Sequence, residues 1–217
     1  MIPSKTILII SLLAVGSVSL SAPRKSSRII NAVGITGGIT YSNQKWNFSN
    51  PDSKQRNKYL LGFNGSVFAE WLSTDYTSII TELQYNQKGT KESGTSNKNK
   101  LIYLCFNNFY RIRYDMDAIL PYVLIGPRVE YLLSQGTSSP AITSSFRKIH
   151  VTASVGVGVE FVSSGKIKFF TEAHFNPDVM KSYKDSNLSI RAKAFELRIG
   201  LKYTFGEDRV NCPRVYK

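Results

Sequence analysis

The stretch KIHVTASVGVGVEFV at residues 148–162 constrains the fold more than any other part of the chain. Apolar or small residues occupy its odd positions from Ile149 to Phe161, and polar residues or glycines occupy its even positions from His150 to Glu160. This period of two predicts a β-strand with one apolar and one polar face. Strands of soluble proteins usually run for about 5–6 residues, whereas a tilted membrane-spanning strand needs about 9–11. The stretch is therefore typical of an outer-membrane β-barrel with its apolar side turned to lipid.

The N-terminus has the composition of an export signal. Residues 6–20 are almost all apolar or small, follow a short segment with one lysine, and precede small residues that suit cleavage. We therefore predict a signal peptide over residues 1–21 and a short extension over residues 22–31, with a buried N-terminal helix as the alternative. No later run approaches about 18 apolar residues, so the exported chain is either soluble and secreted or a membrane barrel.

Seven other stretches show the same alternation, and the connections between strands are alternately long and short. The predicted strands are residues 32–41, 59–71, 77–87, 100–114, 120–133, 148–162, 166–176 and 193–205. The predicted long loops are residues 42–58, 88–99, 134–147 and 177–192. This order predicts an all-β fold, an eight-stranded antiparallel up-and-down transmembrane β-barrel over residues 32–205. Both chain ends, including a tail at residues 206–217, then lie in the periplasm.

Aromatic residues gather near both ends of the predicted strands, as expected where rings meet lipid headgroups. The belt near the long loops is Tyr41, Tyr59, Tyr85, Tyr131, Phe175 and Phe195, and the belt near the short turns is Trp71, Tyr76, Tyr114, Phe161, Tyr203 and Phe205. The turn at residues 163–165 also suits a three-residue hairpin loop, which predicts Glu160 opposite Lys168 and Ser154 opposite His174.

Six acids and six bases occupy inward-facing positions. They are Glu70, Glu82, Glu130, Glu160, Glu172 and Glu196 with Arg111, Arg113, Arg128, Lys168, Arg198 and Lys202. Eight strands leave an interior just wide enough for side chains, and isolated buried charges are too costly to persist. The sequence therefore predicts a lumen plugged by an ion-pair network, rather than an open pore or the apolar ligand cavity of a soluble barrel.

Three inward residues have the types needed for nucleophilic catalysis: Ser154, Glu172 and His174. No strained nucleophile turn accompanies them, and a lipid-modifying enzyme would need them to converge in a lipid-accessible opening. The predicted register also separates His150 from His174 by roughly 13 Å, too far to share a metal ion. We therefore expect no catalytic residue, no metal site and no cofactor.

The two cysteines leave one alternative open. Cys105 faces the lumen and Cys212 lies in the tail, and an oxidising periplasm permits a disulfide between them. The depth of Cys105 in its strand and the short tail favour two free thiols.

The net charge of +13 has to be located along the chain before it indicates a partner. Export, together with the lack of zinc-ligand spacing or a basic reading helix, excludes nucleic acid. The four long loops hold eleven Lys or Arg against four acids, so their rim would attract lipopolysaccharide phosphates or other polyanions. A merely solvated surface is the alternative.

Seven segments together resemble the PorT-like outer-membrane β-barrel family. They are GITGGITYS (34–42), GFNGSVFAEW (62–71), ELQYNQKG (82–89), YLCFNNFYRIRY (103–114), PYVLIGPRVEYLL (121–133), VGVGVEF (155–161) and LRIGLKYTFG (197–206). The resemblance implies a small, monomeric barrel in the outer membrane of a Gram-negative cell. Asn107 departs from it where a proline is expected, and so does the tail after Phe205.

These observations predict a non-enzymatic barrel whose basic outer loops bind or organise envelope components. The expected partners are outer-membrane lipid or lipopolysaccharide and, secondarily, envelope proteins. The alternatives are an accessory subunit of an outer-membrane secretion or assembly complex, as the PorT-like resemblance implies, and a lipid-modifying membrane enzyme.

Overall fold

The predicted eight-stranded barrel is confirmed by the fold. The computed structural model describes residues 29–48, 57–74, 76–93, 97–116, 118–137, 146–161, 165–180, 183–184 and 188–205. Its strands are β1 (Ile30–Phe48), β2 (Asn57–Trp71), β3 (Thr77–Glu92), β4 (Lys98–Arg113), β5 (Ile119–Thr137), β6 (Ile149–Phe161), β7 (Ile167–Pro177), β8 (Tyr183–Lys184) and β9 (Leu188–Thr204). The two-residue β8 pairs only with β9, and the eight long strands form the wall.

Every long strand runs antiparallel to its neighbours, and the sheet closes on itself. Each strand from β1 to β7 pairs with the next long strand, and β9 pairs with β1 from Ala32↔Thr204 to Phe48↔Leu188. The predicted signal peptide, most of the predicted extension and the tail lie outside the described residues. β1 begins at Ile30, two residues inside the predicted extension.

The wall is apolar outside and polar inside. On β4, Leu104, Phe106 and Tyr110 are exposed, whereas the alternate residues Cys105 and Asn107 are buried. The same alternation occurs along the other long strands, as their sequences predict. Among the described residues, no helix is long and apolar enough to cross a membrane.

The strands are longer at their outer end, the end of the long loops, than the sequence predicts. β1 continues to Phe48, β3 to Glu92 and β5 to Thr137, and β9 begins at Leu188. The predicted loops 42–58, 88–99, 134–147 and 177–192 are therefore wrong in part. Beyond the membrane both faces of a strand meet polar surroundings, so the alternation fades while the backbone ladder continues.

The outer aromatic belt marks where the wall leaves the apolar band. The rings of Tyr41 and Tyr59 stack with centroids 4.4 Å apart, and those of Phe175 and Phe195 lie 4.8 Å apart. Because β1 continues from Tyr41 to Phe48, the barrel wall extends past this belt.

The predicted β6–β7 register is wrong by two residues. Glu160 lies opposite Phe170 rather than Lys168, and His174 lies opposite Gly156 rather than Ser154. The imidazole of His174 covers Gly156, which has no side chain to obstruct it. A ring that covers a glycine therefore accompanies the observed register.

Candidate functional site: a sealed lumen and a basic outer surface

A lower ion-pair cluster fills the lumen near the short turns. It consists of Glu70, Arg111, Arg113, Glu160, Lys168 and Lys202. The ammonium of Lys202 lies 2.5 Å from Glu160 and 3.3 Å from Glu70. Arg111 binds Glu70 directly and lies 3.7 Å from Glu160. Six sequence-predicted lumen residues therefore form one network.

An apolar layer separates this cluster from the outer half of the lumen. It consists of Phe68, Ile80, Phe109, Tyr122, Leu124 and Phe170, all buried. Phe68 and Phe170 meet edge to face, with centroids 5.6 Å apart. The enclosed cavity beside this layer has a volume of about 10 Å³, room for at most one water molecule.

An upper ion-pair cluster lies beyond the apolar layer. It consists of Glu82, Lys88, Arg128, Glu130, Glu196 and Arg198. Arg128 lies 2.9 Å from both Glu130 and Glu196, and Arg198 lies 2.7 Å from Glu82 and 2.9 Å from Glu196. All six side chains are buried. Buried charges in this arrangement compensate one another, as the cost of an isolated ion requires.

Lys88 was expected in a basic outer loop, and that expectation is wrong. Its ammonium is buried in the lumen, 2.5 Å from Glu130. Two acids assigned to the same loops, Glu92 and Asp178, are also buried. Because the ladder continues into these segments, alternate residues still point inward.

The twelfth predicted lumen residue, Glu172, contacts a histidine instead of a base of the network. His174 Nε2 lies 2.9 Å from Glu172, and its Nδ1 lies 3.4 Å from the Ser154 hydroxyl. Ser154, Glu172 and His174 thus converge as the enzyme alternative required. All three are buried inside the closed wall, however, and not in an opening to lipid, which counts against that alternative.

A buried apolar cluster, the apolar cap, lies at the outer end of the lumen and was not predicted. It consists of Trp46, Leu101, Tyr103, Cys105, Phe146, Tyr183 and Ile190. Trp46 and Ile190 are directly opposite on β1 and β9. The signal in the sequence was the persistence of alternate apolar residues inside segments interpreted as loops.

Cys105 is a free, buried thiol, and its sulfur accepts a hydrogen bond of 3.2 Å from Arg128. Cys212, its candidate disulfide partner, lies outside the described residues.

A further group that the sequence did not predict lies beside the upper cluster. Glu130, His150 and Asp178 are all buried, and one potential ligand atom of each lies within 4.8 Å of the others. Glu130 and His150 are opposite each other on β5 and β6. His174 lies six residues from His150 along the paired β6 positions, so the two histidines belong to different groups.

The outside of the barrel wall is positively charged at its outer end. Among the described acids, only Asp115 is exposed, and it lies in a short turn at the other end of the barrel. The basic residues on the outward side of the outer end are Lys45, Lys58, Lys91, Lys98, Lys100, Arg147, Lys148, Arg191 and Lys193. Among the described residues, exposed positive charge is therefore concentrated on the outside of the barrel wall at this end.

Comparison with known proteins agrees with this architecture. The sequence matches the family described as the outer membrane protein beta-barrel domain over residues 10–205. None of the curated proteins compared with it matches. Among solved structures, the fold is similar to the outer membrane protein OprG from Pseudomonas aeruginosa, with a TM-score of 0.56 and 10% identity over 81% of this chain and 97% of that one.

It is also similar to Neisserial surface protein A, with a TM-score of 0.50 and 13% identity over 80% of this chain and 99% of that one. At such low identity these two likenesses concern the fold alone. The family match, in contrast, covers most of the sequence and agrees with the closed eight-stranded wall. The chain therefore belongs to the outer membrane β-barrel family.

Proposed function

We propose that this protein is a non-enzymatic outer-membrane barrel with a closed lumen. It binds phosphate-bearing envelope components, lipopolysaccharide above all, through the basic residues on the outside of its outer end. The observation that carries the proposal is a row of three lysines. Lys58 on β2 lies opposite Lys91 on β3, and Lys91 lies opposite Lys98 on β4.

This lysine row (Lys58, Lys91 and Lys98) is electrostatically unfavourable by itself. Like charges at directly opposite positions of neighbouring strands repel each other and destabilise a sheet. No ion pair to these three lysines occurs among the described residues, because the described acids at this end are buried in the lumen. A bound polyanion removes the repulsion and gains from all three charges at once.

The height of the basic surface suits lipid phosphates. The ammonium of Lys193 lies 5.8 Å from the ring centroid of Tyr59, which itself stacks on Tyr41 in the outer belt. Aromatic belts mark the level of the headgroups. Lys58 follows directly beyond Tyr59 on β2. This position supports contact between the lysine row and the phosphates of outer-leaflet glycolipids.

The closed lumen supports an outside binding surface over a transport route. Two ion-pair clusters, an apolar layer and an apolar cap occupy the interior along its length. Molecules as large as a lipid or an oligosaccharide would therefore meet the outer wall and not the lumen.

The test is binding of purified lipopolysaccharide to the refolded barrel, with the triple variant K58Q/K91Q/K98Q. Each lysine near an anionic surface contributes about 1 kcal/mol, so we expect affinity at low salt to fall on the order of 100-fold. The charge-preserving variant K58R/K91R/K98R should retain affinity. K100Q/K148Q/K166Q removes the same number of exposed charges outside the lysine row, two of them on the same basic surface, and should lose clearly less. Equal losses in the two Gln variants would show that only the net charge matters and not the lysine row. Unchanged binding in K58Q/K91Q/K98Q would refute the proposal.

The resemblance to PorT-like barrels supports a second candidate, an accessory role in a secretion or assembly complex. Seven segments between residues 34 and 206 carry that resemblance. Cross-linking in outer membranes followed by co-purification would distinguish the two. A stoichiometric envelope protein that remains bound to K58Q/K91Q/K98Q would favour the second candidate, and its absence would favour lipid binding.

A further inference from the structure

We propose that Glu130, His150 and Asp178 form a binding site for one divalent transition-metal ion, such as Zn²⁺, at the outer end of the lumen. The site goes beyond lipid binding at the outer surface, and neither depends on the other. Its ligands come from β5, from β6 and from the segment that follows β7.

The distances between the ligand atoms fit a single small cation. Nε2 of His150 lies 3.0 Å from Oε2 of Glu130 and 3.6 Å from Oδ1 of Asp178. Atoms that bind one Zn²⁺ at about 2.0–2.2 Å lie roughly 3–4 Å apart. Three protein ligands would leave a fourth position of a tetrahedral ion for water.

The direct contact between His150 and Glu130 is close but poorly aligned. Although the two atoms are only 3.0 Å apart, Oε2 of Glu130 accepts no hydrogen bond from the described residues. A fully buried carboxylate oxygen without an aligned donor is costly. A cation between the imidazole and the carboxylates would satisfy that oxygen without moving either strand.

Each ligand is held in place by a neighbour. Lys88 donates a hydrogen bond of 2.5 Å to Oε1 of Glu130, and Nε of Arg128 lies 2.9 Å from the same oxygen, which leaves Oε2 for the metal. Asp178 forms a β-bridge with Thr152, and its Oδ2 accepts the N–H of Ala192 at 2.8 Å.

The His150 ring packs edge-on against Tyr103, with centroids 5.2 Å apart. Such fixed ligands lower the cost of assembling a metal site.

The donor types select the class of ion. One imidazole nitrogen and two carboxylate oxygens suit Zn²⁺ and similar transition metals, whereas Mg²⁺ and Ca²⁺ prefer oxygen ligands alone. The two carboxylates also supply charge of the sign that a dication needs, and the two neighbouring cations contact only the far oxygen of Glu130.

The experiment is Zn²⁺ binding to full-length barrel refolded without lipopolysaccharide, which itself binds divalent cations. After chelation and desalting, Zn²⁺ is titrated against a chromophoric chelator and the bound metal is counted by mass spectrometry. We expect one Zn²⁺ per folded wild-type barrel, not displaced by excess Mg²⁺. We also expect a rise in the temperature at which the folded gel form is lost.

The variants H150Q and D178N should bind Zn²⁺ at least about tenfold more weakly, because each removes one ligand. H174Q removes the other buried histidine and should bind like the wild type. The heat-modifiable gel shift reports that each variant is folded, and D178N, outside the long strands, covers the case in which H150Q does not fold. Absence of stoichiometric Zn²⁺ in the wild type would show that His150 serves only as an ion-pair partner. Binding that survives both H150Q and D178N would place the metal elsewhere, and either result overturns the proposal.

Discussion

At the scale of single residues, the lumen is built from charges shared between several partners. Glu196 is the clearest case, because it accepts hydrogen bonds from Gln84 and Asn86 and pairs with both Arg128 and Arg198. Lys168 differs in exposure, since its ammonium is partly exposed and lies 3.9 Å from Glu160. The two residues occur in the same predicted network but should differ greatly in what they contribute to stability.

We expect E196Q to lower the free energy of unfolding by about 3–5 kcal/mol, because it leaves two buried guanidinium groups undercompensated. K168M should change it by less than about 1 kcal/mol, since a partly solvated pair contributes little. Urea unfolding in lipid vesicles, followed by the fluorescence of the two tryptophans, measures both. Similar losses in the two variants would mean that burial does not determine how much these ion pairs contribute to the free energy of unfolding.

The sequence predicted which residues face the lumen, but it did not predict their partners. Alternation along a strand determines the face, whereas a contact across the lumen depends on the relative shift of strands that are far apart in sequence. Glu160 was paired with Lys168 by the predicted hairpin, and its shorter contact is with Lys202 on β9. The Glu130, His150 and Asp178 group was missed for the same reason.

At the scale of elements, close approach of β1 to β9 depends on one glycine of an adjacent pair. A Cβ on Gly38 would lie 2.1 Å from the carbonyl oxygen of Leu197, whereas a Cβ on Gly37 would meet no atom within 4 Å. Only Gly38 carries a steric requirement.

We expect G38A to destabilise the barrel by about 1–3 kcal/mol, because the two strands must separate to accommodate the methyl group. G37A, one residue away with the same chemical change, should stay within about 0.5 kcal/mol of the wild type. Urea midpoints in vesicles and the folded fraction on unboiled gels report both. If G38A were tolerated, β1 and β9 could separate at this point more easily than their close approach indicates.

Element boundaries were predicted well at the short turns and poorly at the outer end. β2 ends at Trp71 and β3 begins at Thr77, as predicted. At the other end, β1 runs from the predicted limit Tyr41 on to Phe48. Lipid enforces apolar outward residues only within its own thickness, so the pattern that identifies a strand ends before the strand does.

At the scale of the whole molecule, the interior resembles the packed core of a soluble protein more than a channel. Charged and apolar layers alternate from the lower cluster to the cap, and side chains as large as Arg128 and Arg198 are fully buried. In the part of the chain that the structure describes, these layers leave little room for a water-filled path, as expected for eight strands.

We expect the purified barrel to produce no stable conductance steps in planar lipid bilayers. Insertion is checked independently by the compact, unboiled gel form that shifts on heating, and an open porin serves as the positive control. Stable porin-like steps from protein of that form would contradict a closed lumen.

The barrel cannot close until β9, its last strand, has been synthesised. β9 forms ladders with both β7 and β1, and it contributes Glu196, Arg198 and Lys202 to the two ion-pair clusters. A premature stop codon just before this strand would remove one eighth of the wall. It would also leave two long edges unpaired and strip both clusters of central charges. A chain shortened in this way could not close into a smaller barrel. We expect it to aggregate and to be degraded by envelope proteases.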